Sequence, residues 1–149
     1  MNPHWNLIPG KGIQKTDTEI RLGEPQASVR STLATEFGEP VSHYENEEDF
    51  ENASADTLIR VRYGNHCVKD IEFLRGSLFF GDIRLSVDTT WPEIESALSA
   101  LGHQHRDTEW LGDGYDIPAL GINIATHDQV GGDGDGIEWV ILSEDFLNV

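Results

Sequence analysis

Three groups of residues in this chain have types and spacings that could do chemistry. Gly131-Gly132-Asp133-Gly134-Asp135-Gly136 alternates carboxylates with glycines, and Asp128 lies just before it. Calcium loops place oxygen ligands at alternate positions around a sharp glycine turn. The segment lacks the closing Glu of the twelve-residue calcium loop, and calcium-binding nonapeptide repeats come in arrays. A hairpin turn accounts for the same residues. His103 and His105 offer two imidazoles, with Asp107 or Glu109 as a third ligand and Cys67 from the other half of the chain. A zinc site needs three or four such ligands, and the same pattern suits an exposed loop after a helix. Cys67 follows His66 directly, and neighbours on a strand point to opposite faces, so the two do not make a nucleophile–base pair. Neither G-x-S-x-G nor a phosphate loop is present. Leu7 to Ile13 carries glycines and a lysine without the Walker spacing, and reads as a turn leading into a strand. The expectation is a binding protein, not an enzyme, with no cofactor and no resident metal. A calcium- or metal-binding module and a small hydrolase are the alternatives.

Two further segments have the composition of an interface. The first holds five acids around one aromatic: Glu45, Glu47, Glu48, Asp49 and Glu51 flank Phe50. The second runs from Asp107 through Glu109, Trp110, Asp113 and Tyr115 to Asp116. Aromatics among charges suit a contact centre with an electrostatic rim. Both are expected in long loops, Glu39 to Thr57 and His103 to Leu120, and these eleven residues are the expected partner-binding set. The competing expectation is a solvated loop tip for the first and inward packing of Trp110 and Tyr115 for the second.

Charge narrows the partner. The chain has 27 acids and 10 Lys or Arg in 149 residues, a net of −17. Residues 1–75 hold 13 acids and 8 bases, whereas residues 76–149 hold 14 acids and 2 bases. Such a surface repels nucleic-acid phosphates and anionic membranes. It attracts cationic proteins, mainly by speeding their association. Acidity with only three lysines also fits a salt-adapted source. The single cysteine, Cys67, excludes an internal disulfide and fits a reducing compartment. No stretch has the form of a signal peptide or the length of a membrane span, so the expected location is the cytoplasm.

The elements that must position these residues come in two similar sets. Ile20-Arg21-Leu22-Gly23 returns 63 residues later as Ile83-Arg84-Leu85-Ser86. Each is followed by a helical pattern: Val29, Leu33 and Phe37 in the first, Ile94, Leu98 and Leu101 in the second. Gly38 and Gly102 suit helix C-termini, while Ser28 and Thr90 suit helix starts, with Pro92 in the first turn and Glu93 at capping-box spacing. Strand patterns follow at Leu58–Tyr63 and Val68–Leu74, then at Gly121–Thr126 and Ile137–Leu142. The expected architecture is α+β in one domain over residues 1–149. Two tandem strand-helix-hairpin units, about 14–75 and 77–146, would form an antiparallel sheet with the helices on one side.

The chain resembles a group of small bacterial proteins in its Pro-Gly-Lys-Gly-Ile segment (Pro9 to Ile13), the strand ending Ile20 to Gly23, the helix ending Gly38 to Pro40, and Pro118 to Ile122. Members similar to these look like immunity proteins that neutralise toxins of interbacterial competition systems. The duplicated plan is also similar to the tandem fold of the β-lactamase inhibitor protein, whose sheet face binds an enzyme. The resemblance implies an immunity-type inhibitor of a cognate basic toxin, a nuclease being the fitting kind, and carries no catalytic residues with it.

Overall fold

The computed structural model describes residues 4–86, 89–108 and 114–147. Among them the chain runs β1 (Trp5–Ile8), β2 (Gly12–Lys15), β3 (Thr18–Arg21), α1 (Gln26–Phe37), β4 (Ser42–Tyr44) and β5 (Glu47–Glu51). It continues through β6 (Leu58–Gly64), β7 (Cys67–Arg75), β8 (Leu78–Phe80), β9 (Ile83–Arg84) and α2 (Trp91–Ala100). The last strands are β10 (Arg106–Asp107), β11 (Tyr115–Ile117), β12 (Ile122–Thr126) and β13 (Ile137–Ser143), with 3-10 turns at Asp128–Val130 and Glu144–Phe146.

These strands form two sheets, where the sequence pattern suggests one. The larger is antiparallel, in the order β10-β11-β12-β13-β7-β6-β5-β4. The four strands after α1 make one half of it and the four after α2 the other, joined by β7 against β13. The smaller sheet has the order β3-β2-β1-β8-β9 and includes one parallel pair, β1 with β8. The class is therefore α+β and sheet-dominated.

Period-two alternation decides which face of the large sheet is buried. In β6, Ile59, Val61 and Tyr63 point inward while Leu58, Arg60 and Arg62 point out. Their inward partners on β7 are Phe73, Ile71 and Val68, and Phe73 and Ile71 face Val140 and Leu142 of β13. Val29, Leu33 and Phe37 of α1 join this core, as do Trp5, Leu7, Ile13 and Ile20 of the small sheet. On α2 the buried stripe is Trp91, Ile94 and Leu98. Leu101, which the spacing places in that stripe, lies past the last helical residue and is 58% exposed. Gly38 and Gly102 follow the helix ends with φ of 68° and 83°. Helix α1 begins at Gln26 with Pro25 as its N-cap, so Ser28 lies inside the first turn and donates its hydroxyl proton to Glu24 at 2.6 Å. Thr90 does cap α2, without a side-chain hydrogen bond.

The two long loops expected from the sequence contain strands. The acidic run forms β5, hairpin-paired to β4 and then to β6. Part of the second loop forms β10 and β11. Between β6 and β7 the turn residues Asn65 and His66 have φ of 53° and 64°, the left-handed pair that matches a tight hairpin's twist.

Two glycines give contrasting expectations. A Cβ on Gly12 would lie 2.2 Å from the Ile20 carbonyl oxygen, across the β2–β3 pair. Gly23 has φ of 86°, but a Cβ there would meet nothing within 4 Å. Gly12→Ala is expected to lower unfolding free energy in urea by about 3 kcal/mol, and Gly23→Ala by about 1 kcal/mol. Equal losses would show that the close approach at Gly12 is relieved at little cost.

Candidate functional site

Residues that alternate away from the core build a row over the outer face of the large sheet that is polar except at Ile141. Reading across the strands by register, the row is Asp49, Arg60, Glu72, Ile141, Asn123, Asp116 and Arg106. A second row beside it runs Tyr44, Glu47, Arg62, Asp70 and Ser143. Directly opposed side chains on one face lie close enough to bond, so opposite charges on neighbouring strands pair in sequence.

The pairs are specific. Arg60 Nε donates to Asp49 Oδ1 at 2.8 Å, and Arg60 Nη2 to Asp49 Oδ2 at 3.1 Å. Arg62 is the hub: Nε donates to Glu47 at 3.1 Å, Nη1 to Asp70 at 2.9 Å and Nη2 to Glu72 at 2.6 Å. Burial alone would lower the pKa of Arg62. Hydrogen bonding to Asp70 and the charge of Glu72 outweigh it and raise the value. Burial pushes the carboxyls of Asp70 and Glu72 up, against the pull of Arg62. On the other half of the row, Trp139 Nε1 donates to Asn123 Oδ1 and Asn123 Nδ2 to Asp116 Oδ1, each at 2.9 Å. Arg106 Nε reaches Asp116 at 3.4 Å.

Where the two halves meet, a groove of about 630 Å³ opens over β6, β7 and β13. Arg60 and Arg62 form one wall, and Asp70, Glu72 and Leu74 the floor. Trp139 and Ile141 rise on the far side, with Phe146 and Asp145 of the last 3-10 turn at the end. Ile141 and Phe146 are buried but stand apart from the main core cluster.

The expected partner-binding residues are dispersed by the fold. Glu45 is exposed in the β4–β5 turn. Glu47 and Asp49 belong to the charge rows. Glu51 pairs with Arg75. Glu48 does not face solvent: it is 0% exposed on the inner face, where it accepts from Tyr63 Oη at 2.8 Å and Arg30 Nε at 2.7 Å. An alternating strand turns every second acid inward, which corrects the reading of this run as a solvated loop. Burial, then the hydrogen bond to Glu48, raises the Tyr63 pKa. Asp116 is likewise buried, at 1% exposure, and serves Asn123 rather than a partner. Tyr115 stacks on Trp91 with ring centres 4.2 Å apart, and His105 meets both rings edge-on. Asp107 is exposed on β10. Glu109, Trp110 and Asp113 lie outside the described residues.

Other chemistry finds less support. Asp128 accepts from the Thr126 hydroxyl, and Asp133 and Asp135 are exposed in the β12–β13 connection. Among the described residues no three His, Cys, Asp or Glu side chains are grouped to hold a metal ion. His105 stands 3.3 Å from Glu95, and His127 pairs with Glu138. Neither histidine lines the large groove. Sequence reasoning missed the charge rows, although they leave a signal: Glu47/Asp49, Arg60/Arg62 and Asp70/Glu72 share the spacing i, i+2.

Removing the hub should expose the cost of these buried acids. Arg62→Met is expected to destabilise the fold by about 3–5 kcal/mol at pH 7, because Asp70 and Glu72 lose their paired cation, whereas Glu47 keeps Arg60. A carboxyl whose folded pKa is raised favours the folded state most in acid, and that contribution is lost as pH climbs through the folded pKa. Without Arg62 the raised values of Asp70 and Glu72 rise further. The deficit of Arg62→Met should therefore shrink as pH falls from 7 toward about 4, near the ordinary carboxyl range. Urea titrations of both proteins at several pH values check this, and a deficit independent of pH would contradict it. No family model matches the chain, and no curated protein and no solved structure matches it.

Proposed function

We propose that this protein is an immunity-type inhibitor that binds a cationic toxin domain, such as a nuclease, and occludes its active site. The observation that carries the reading is the placement of charge. Acids of the first half are largely engaged by that half's own arginines: Arg30, Arg60, Arg62 and Arg75 hold Glu48, Asp49, Glu47, Asp70, Glu72 and Glu51. The second half has only Arg84 and Arg106 for its 14 acids, and Arg106 is turned to buried Asp116. Asp82, Glu93, Asp107, Asp128, Asp133 and Asp135 are all exposed there. A field of one sign over one half of a molecule steers an oppositely charged protein and presents charges like those of a phosphate backbone. No chemistry by this chain is required.

The two halves are also proposed to be copies of one unit, with the second specialised for charge. Their equal shares of the large sheet support this, as do β3 and β9 at opposite edges of the small one. Inhibition of a toxin in the producing cell places the protein in the cytoplasm; among the described residues no helix is long and apolar enough to cross a membrane.

Co-expression with the product of the adjacent gene tests the reading. A stable complex with a basic toxin is expected, with an association rate that falls about tenfold or more from low to high salt. Asp133→Asn with Asp135→Asn should slow association and leave the dissociation rate nearly unchanged. If the neighbour is not a toxin and no basic protein binds, the reading fails.

A further inference from the structure

The groove over β6, β7 and β13 has a composition that selects its occupant. Asp70 and Glu72 line it together with Arg60 and Arg62. Glu47 and Asp49, beside the lining on β5, hold the same two guanidinium groups. The lining also includes Lys69 and Asp145, so its own acids and bases balance at three each; counting Glu47 and Asp49, the cluster carries five acids against three bases. Arg62 bonds Asp70 through Oδ1 and Glu72 through Oε1, one oxygen of each carboxylate. Both arginines are held by acids, so neither is left to hold an anion.

The rest of the lining suits the stem of a long side chain. Leu74 and Trp139 are half-buried and border the same space as Glu72. The indole is fixed from behind by Asn123, which is 0% exposed and itself held by buried Asp116. An aromatic ring locked in place beside carboxylates is a preorganised receiver for a cation, which is attracted by the ring face and by the charges. Burial keeps Asp70 and Glu72 short of full compensation by Arg62, as their raised pKa values indicate.

We propose that this groove receives one arginine or lysine side chain of the basic partner, its stem against Trp139 and Leu74 and its charged head beside Asp70, Glu72 and Asp145. This rests on the inhibitor reading and names the contact that would anchor the complex after electrostatic capture.

The test uses the full chain and two kinds of probe. In a ¹H–¹⁵N NMR titration, N-acetyl-arginine amide is expected to shift the Trp139 indole N–H and the amides of residues 70–74 and 139–143 saturably, while N-acetyl-norleucine amide and inorganic phosphate do not. Absence of a Trp139 shift, an equal response to the norleucine compound, or shifts scattered over every acidic segment would overturn the proposal. Leu74→Arg places the chain's own guanidinium at the groove and should abolish the titration. The same variant should weaken toxin binding by about 30-fold or more, the size of a contact hot spot. Asp145→Lys, at the rim, provides a second variant that makes the same demand if Leu74→Arg misfolds. If the toxin binds wild type and both folded variants within about twofold, a spread below any hot-spot loss, the groove proposal fails and the inhibitor reading stands. If arginine amide saturates the groove but no toxin binds the wild type, the inhibitor reading fails and the groove's preference for a cation stands.

Discussion

The pairing of β7 with β13 is the constraint on which the rest of the molecule depends. Four register pairs join the halves: Phe73 with Val140, Ile71 with Leu142, Glu72 with Ile141, and Asp70 with Ser143. The first two lie on the inner face and merge the apolar sides of both halves into one core. The other two lie on the outer face and set two carboxylates beside an isoleucine and a serine. A slip of one residue would exchange these faces, burying the acids in the core and exposing the apolar side chains. The seam thus fixes both the packing beneath the sheet and the chemistry above it.

The outer face bears an unusual burden for a surface. Glu72 and Asp116 are almost wholly buried there, at 3% and 1% exposure. They are shielded by their neighbours across the strands, and each is answered by a specific donor. Pairs of this kind contribute little net stability, since desolvation offsets most of the attraction. Their effect is on geometry. A half-satisfied network is costly, so the side chains of this face have few alternative arrangements. Rigidity of this kind lowers the ordering cost of any contact made through the face.

Much of this fold was legible in the sequence. The strands β6, β7, β12 and β13 and the buried stripe of α1 follow directly from alternation and from the spacing of Val29, Leu33 and Phe37. The four strands β4, β5, β10 and β11 were not, for a physical reason. Their residues are mostly charged or few, so composition reads as loop, yet β5 alternates once Glu48 and Phe50 are seen to point one way and Glu47, Asp49 and Glu51 the other. Buried Glu48 is invisible to any rule that equates acids with solvent, because its partners, Arg30 and Tyr63, are 18 and 15 residues away. Likewise, the parallel pair β1–β8 joins Trp5 to Leu78, segments remote in the chain that no local pattern connects. The groove could not be foreseen without the order of strands, since its two sides come from different halves of the chain.

The strands at the two ends of the large sheet are short: β4 has three residues and β10 two. Unpaired backbone groups at a sheet edge invite other chains to add strands. Pro40, which has no N–H to offer, stands just before β4, and β10 consists of Arg106 and Asp107. A neighbour arriving edge-on finds too few groups in line to build a stable ladder. Lateral polymerisation is thereby discouraged in a molecule whose sheet is otherwise long enough to propagate it.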